Sequence, residues 1–473
     1  MKLRSLSMAL VLAGLQGCSL IPAYHTPAMP VAGSWPKGPA YPIPQGEQKA
    51  HVPHWQGFFK DPALRVLIEQ ALTNNLDLRQ AALNVEAYRA QYRIQRSNLM
   101  PDVELSGANS RQRLPADLRT SNSAGVDSKS QLNVGITSYE LDIFGRIRSL
   151  QSSALQTYLA TAEAQNGVRI ALISDVATAY MTWLADRALL QVTQETLESY
   201  EKSLSLIDAS SQEGISSALD VRQARTLVEG ARAQQYEYTR HVAQDANALE
   251  LLLGGSLPAD LRFVALDADY LAQIPTGLPS DLLMRRPDIR ETEHRLLAAN
   301  ADIGAARAAF FPSISLTASA GTASESLSGL FKGGSGSWNF VPQINVPIFN
   351  GGRLDASLDY AKIQRDIQVS NYQKSIQVAF REVSDGLAAI GTYGGQLQAQ
   401  SALVQADQEY FDMAHQRYDE GVDSYLTLLD AQRELFAARQ KLLSDRLAQL
   451  SAQVQLYKAL GGGWQTSIAV ITK

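Results

Sequence analysis

The chain repeats itself. Displaced by 211 positions, Asp77, Arg79, Ala90, Pro101 and Leu105 fall on Asp288, Arg290, Ala301, Pro312 and Leu316. Displaced by 207, Gly145-Arg146, Gly214, Ser217, Leu219, Ala224 and Leu253-Gly254-Gly255 fall on Gly352-Arg353, Gly421, Ser424, Leu426, Ala431 and Leu460-Gly461-Gly462. The register changes between Leu105 and Gly145, which reads as a loop four residues longer in the first copy. A duplication this regular builds an object from equivalent staves rather than around one catalytic centre.

Each copy carries a helical pattern of roughly 65 residues, far beyond an ordinary globular helix and typical of a helical array. No proline interrupts the stretch from Gly145 to Pro258, and Glu213-Gly214 marks its one clear turn; Glu420-Gly421 repeats that turn. Asp61 to Leu99 is also helical, with a break possible at Asn74-Asn75. Gly254-Gly255 and Gly461-Gly462-Gly463 read as C-caps, where left-handed backbone carries no Cβ strain. Leu429, Phe436, Leu443 and Leu450 recur every seventh residue, a seam for neighbouring helices. A long helix of about 100 Å, flanked by a return helix and a shorter leading helix stacked end to end, gives a wall of even height. Gly386, Gly391, Gly394 and Gly395 weaken the second long helix and predict a local interruption near 388–396.

Four short segments alternate. Trp338, Phe340, Ile344, Val346 and Ile348 share one face of the fourth, with Asn339, Gln343 and Asn345 opposite. Ile314, Leu316, Ala318 and Ala320 face away from Ser313, Ser315, Thr317 and Ser319 in the third. Val103 and Leu105 oppose Glu104 and Ser106 in the first, and Leu132, Val134 and Ile136 oppose Asn133 and Thr137 in the second. Segments of about ten residues with one lipid-compatible and one wet face are characteristic of membrane barrels; the competing reading is a soluble sandwich. Four strands cannot close a barrel, and an open edge is not tolerated in hydrocarbon, so copies must share one. Three copies give twelve strands and a lumen, though the pattern alone also permits two or four.

The N-terminus is an export signal, with Lys2 and Arg4 before an apolar stretch from Leu6 to Leu15 that is too short to span a bilayer. It ends at Cys18, the only cysteine, so no internal disulfide can form. A cysteine in that place resembles a bacterial lipoprotein box, which implies a covalent lipid on Cys18, and Ser19 favours the outer membrane. Charged residues make up 19% of the chain, and the net charge of −5 becomes −7 once Lys2 and Arg4 are removed. No basic stripe points to nucleic acid. His51 and His54 have no third residue spaced to complete a metal site. No phosphate loop, nucleophile elbow or zinc motif is present, so neither enzyme chemistry nor a cofactor beyond the lipid is expected.

Several stretches resemble the TolC-like outer-membrane factor family, in its lipoprotein branch. They are Leu278-Pro279-Ser280-Asp281-Leu282-Leu283, Arg285-Arg286-Pro287-Asp288-Ile289-Arg290, Ala308-Ala309-Phe310-Phe311-Pro312-Ser313-Ile314, Pro347-Ile348-Phe349-Asn350-Gly351-Gly352-Arg353, Tyr425-Leu426-Thr427-Leu428-Leu429-Asp430-Ala431-Gln432-Arg433 and Tyr457-Lys458-Ala459-Leu460-Gly461-Gly462-Gly463-Trp464. The resemblance implies a mixed fold: a shared twelve-stranded β-barrel of a homotrimer, a long α-helical barrel in the periplasm, and a small mixed α/β belt. The organisation expected is a signal peptide over 1–17, an extended lipidated segment over 18–60, repeats over 61–255 and 287–463, a linker over 256–286 and a tail over 464–473. Strands are expected at about 102–113, 130–143, 312–323 and 337–349, with long helices at about 146–210, 218–253, 353–418 and 424–460. The belt would take residues 19–60, 256–286, about 388–396 and the tail.

By the same resemblance, Leu426 forms an apolar constriction on the pore axis, with Asp430 an acidic ring one turn deeper. Three symmetry-related carboxylates would attract cations and impede anions. Tyr418 and Asp220 match positions that link neighbouring hairpins and hold the tip shut, and Asp423 stands where some relatives carry a basic residue in a second link. The turns at Glu213, Gly214, Glu420 and Gly421 would dock a periplasmic adaptor, which in turn joins an RND-type inner-membrane transporter. Small amphiphilic compounds are the expected cargo; metal-ion efflux and type I protein secretion can use the same kind of exit. A periplasmic coiled-coil lipoprotein without a pore is the other rival.

Overall fold

The computed structural model describes residues 19–41, 52–115, 125–259, 263, 265–266, 269–274 and 280–462; Cys18, the signal segment and the tail from 463 lie outside them. The elements are α1 (Trp55–Phe58), α2 (Pro62–Asn74), α3 (Leu76–Ser97), β1 (Val103–Leu114), β2 (Gly125–Leu141), α4 (Arg146–Gln212), α5 (Ala218–Leu253), α6 (Pro287–Ala308), β3 (Ser313–Ser324), β4 (Gly336–Asn345), α7 (Arg353–Asp419) and α8 (Tyr425–Ala459). They gather into two compact units. One holds residues up to Ala28, Asn84–Ala162 and Glu291–Gln373, and the other Met29–Leu83, Glu163–Arg290 and Lys374 onward.

The first unit carries one antiparallel sheet in the order β1-β2-β3-β4. Its register puts Val103, Leu105, Val134 and Ile136 on the same face as Ala318, Ala320, Trp338 and Phe340. Trp338 is 81% exposed there, and among the described residues no layer covers this apolar face. Gly321 and Gly135 let strands meet closely, since a Cβ on Gly321 would lie 2.0 Å from the Leu132 carbonyl oxygen. The extra residues of the first copy lengthen the ladder, not the loop: β1 and β2 pair over 12 positions, β3 and β4 over 10. β2 starts at Gly125 rather than near 130, and β4 stops at Asn345, leaving Val346, Ile348 and Phe349 outside the strand. Pro347 has no N–H to continue a ladder. Beside the sheet, Asn300 on α6 donates to the Pro22 carbonyl at 2.9 Å, seating the chain's leading segment against this helix.

In the second unit the leading and return helices abut end to end, once per repeat. Asn75 breaks the first leading helix; its side chain accepts from Leu78 N–H at 2.9 Å and donates to the Leu252 carbonyl at 3.0 Å, at the end of α5. In the second copy Arg286 Nη1 donates to the Ala459 carbonyl at 2.7 Å, at the end of α8. Asn75 and Arg286 are 211 apart, and Leu252 and Ala459 are 207 apart. The duplication has therefore kept the joint and changed its chemistry. Nearby, Phe58 stacks on Tyr457 with ring centroids 4.0 Å apart, and Phe59 bridges to Leu271.

The predicted interruption near 388–396 is absent, because α7 runs unbroken from Arg353 to Asp419. Gly386 is a packing residue there: a Cβ would stand 2.9 Å from the Leu456 side chain of α8. A glycine costs about 1 kcal/mol in a helix, too little to break one held along its length by packing.

Candidate functional site: the four-helix tip

The ends of α4, α5, α7 and α8 share one core. Ile207, Ala224, Ala414, Tyr425, Leu428, Leu429 and Ala431 are buried in it, with Leu204, Val221, Phe411 and Tyr418 packed around them. Hydrogen bonds from buried polar groups pin α8 to α4: Tyr200 donates to the Gln432 carbonyl at 3.3 Å, and Gln432 donates to Ser203 Oγ at 3.1 Å.

Both hairpin turns end their long helix in the same way. Gly214 and Gly421 have φ of 77° and 72°, and the next N–H reaches back to a carbonyl five residues earlier, Ile215 to Ser210 and Val422 to Arg417. This is the left-handed cap that glycine favours. The predicted docking residues Glu213 and Glu420 sit immediately before these glycines. The sequence reading missed the residues after them: Ile215 is 82% exposed and Val422 58%, matching apolar positions at the extremity of each hairpin. The 207-residue offset was the signal that could have found them.

Asp220 closes a capping box, its carboxylate accepting from Ser217 N–H at 2.9 Å and Ser217 O–H at 2.7 Å. Asp423 is held by its own hairpin, where Arg417 grips both carboxylate oxygens at 2.7 and 2.9 Å. That hydrogen-bonded cation holds the Asp423 carboxyl below the usual carboxylate range. Tyr418 packs edge-on to Tyr425 at 5.8 Å. Among the described residues no hydrogen bond joins Tyr418 to Asp220. Instead Tyr425 lies by both; burial, then the charges of Tyr418 and Asp220, push its hydroxyl up to about 12.

Leu426 and Asp430 lie one turn apart on the opposite face of α8. Leu426 is 58% exposed although Tyr425, Leu428 and Leu429 beside it are buried, so it faces away from the chain's own core. Asp430 is exposed as well, with Arg433 on the same helix 3.9 Å away. An acidic ring built here therefore carries a cation next to each carboxylate, a neighbour legible in sequence as the i+3 position. Cys18, the expected lipid site, lies outside the described residues.

The sequence profile described as outer membrane efflux protein matches residues 67–255 and, separately, 278–462, one match for each repeat. The solvent efflux pump outer membrane protein SrpC of Pseudomonas putida is 59% identical over 472 residues, covering 99% of this chain and 100% of its own. The toluene efflux pump outer membrane protein TtgC of the same species is 58% identical over 461 residues, covering 97% of this chain and 95% of its own. The open-state MtrE outer membrane channel of Neisseria gonorrhoeae aligns with a TM-score of 0.84 at 37% identity, over 94% of this chain and 98% of that one.

Proposed function

Because this chain belongs to the outer membrane efflux protein family, whose members are channels rather than enzymes, we propose that its tip is the gate of an exit duct for small amphiphiles. Three copies contribute four strands each to one barrel in the outer membrane, and the helices continue the passage into the periplasm. The cargo reading follows from relatives named for solvent and toluene efflux. A periplasmic adaptor docks at the turns around Glu213-Gly214 and Glu420-Gly421, where Ile215 and Val422 offer apolar contacts, and links the duct to an RND-type transporter. A diacylglycerol thioether on Cys18 and the acylated amine anchor the mature chain in the inner leaflet.

The observation that carries the gate is the exposed Leu426–Asp430 pair on the face of α8 turned away from the buried tip core. With Leu426 of each copy facing the axis, the passage narrows on an apolar ring, and Asp430 with Arg433 sets the charge just beyond it. Opening is a shift between two states of the tip, favoured by whatever binds the turns more tightly in the open one.

The test uses cells lacking their own exit duct, supplied with this chain, its adaptor and its transporter. Accumulation of a fluorescent amphiphile should fall, and cysteines placed at Glu213 and Glu420 should crosslink to the adaptor. Unchanged accumulation together with no crosslink at either turn would refute the reading.

A further inference from the structure

We propose that Arg111 and Arg113 form a docking site for the phosphate groups of the outer leaflet's phosphorylated glycolipid, lipopolysaccharide. The sheet segregates its charges. Glu104, Asp127, Lys129 and Glu140 all lie on the polar face, by strand alternation and ladder register. The lipid-facing side carries two charges among the paired residues of the four strands, and both are arginines. Arg111 pairs across the ladder with Ser128 and Arg113 with Val126, on the same face as Val103 and Leu105. Both are exposed, and among the described residues neither guanidinium has a hydrogen bond or an ion pair.

Their height fits a headgroup. Antiparallel strands rise about 3.4 Å per residue, so Arg113 lies roughly 34 Å along the strand from Val103. At a tilt of about 40° that becomes roughly 26 Å of vertical rise, matching the ~25 Å apolar band of outer-membrane barrels. Val103 lies at the helix end of the strand and the arginines at the opposite, exterior end. Below them, on the same face, Asn109 donates to Ser130 at 2.7 Å, so polar groups already enter this face on the exterior side.

The duplication supplies an internal comparison. Thr322 and Ser324 occupy the matching places in the second copy, so the charged pair belongs to the taller first hairpin alone and recurs three times around the barrel. Guanidinium presents a planar fork that binds phosphate in bidentate fashion. On a lipid-facing surface the neighbouring phosphates are those of lipid headgroups.

The experiment measures lipid retention on the purified full-length trimer by native mass spectrometry. The probes are bisphosphorylated lipid A and the same lipid after phosphatase treatment. The parent should prefer the phosphorylated form by about tenfold, the scale of one charge-assisted hydrogen bond. An Arg111→Gln/Arg113→Gln variant should lose that preference, while Lys129→Gln, on the pore face at similar height, should keep it. Excess inorganic phosphate should not displace the lipid. A parent indifferent to the lipid phosphates would overturn the proposal without reliance on any variant. Undiminished preference in the assembled double variant, or displacement by free phosphate, would overturn it too.

Discussion

Replacing Arg286 with methionine should loosen the joint between α6 and α8. The Arg286 side chain is 9% exposed and makes four polar contacts. It bonds Asp288 twice, at 3.0 and 2.7 Å, and reaches Glu382 at 2.8 Å and the Ala459 carbonyl at 2.7 Å. Breaking a fully buried pair costs about 3–5 kcal/mol. Here the abandoned carboxylates are 47% and 40% exposed, so water compensates them. Methionine also restores most of the buried stem. What remains is a carbonyl at the end of a helix deprived of a charged donor, about 2 kcal/mol. Membrane trimers unfold irreversibly, so the readout is a rate: the time for the trimer to dissociate on a detergent gel at fixed temperature. With the joint absent from the transition state, 2 kcal/mol corresponds to roughly 30-fold faster loss. Arg286→Lys should fall between the two. A methionine variant that dissociates within twofold of the parent would refute the assigned role.

The glycines of α7 should divide by environment. Gly386→Val, driven into Leu456, should destabilise by about 1–3 kcal/mol, whereas Gly394→Ala, with nothing within 4 Å, should stabilise by up to about 1 kcal/mol; thermal dissociation midpoints separate them. Asp245 is pushed up to about 6 by burial and then by Asp186 beside it, and His241 lies 3.6 Å from Asp186. Its folded value exceeds the unfolded one, so the associated stability is present below pH 3.8 and is lost as pH rises to about 6 and beyond. Asp245→Asn should therefore raise the dissociation temperature at pH 7.5 and change it little below pH 4; equal effects at both would contradict the sign.

Helix periodicity carried most of the fold, because a face buried along 35 or more residues leaves a long record in one chain. The return helices α5 and α8 lie within a residue of expectation, and the long helices within two. Strand ends were less legible: Val346 and Ile348 keep the alternation although the ladder ends at Asn345. Gly386 misled because its meaning depends on Leu456, 70 positions away, and no local pattern records which helix crosses there. At the tip, Leu426 and Asp430 were singled out through resemblance alone, and both side chains are exposed. The capping role of Asp220 was readable from the Ser217-x-x-Asp220 spacing, whereas the Arg417–Asp423 pair and the place of Tyr425 between Tyr418 and Asp220 depend on rotamers and turn geometry. Composition and period do not encode those.

The most direct measurement is single-channel conductance in a planar bilayer, comparing the parent trimer with Leu426→Ala/Asp430→Ala. A passage shut at its helical end predicts small, brief openings for the parent and conductance several times larger and sustained for the double variant. A double variant that conducts no better than the parent would contradict a conduit gated at that ring.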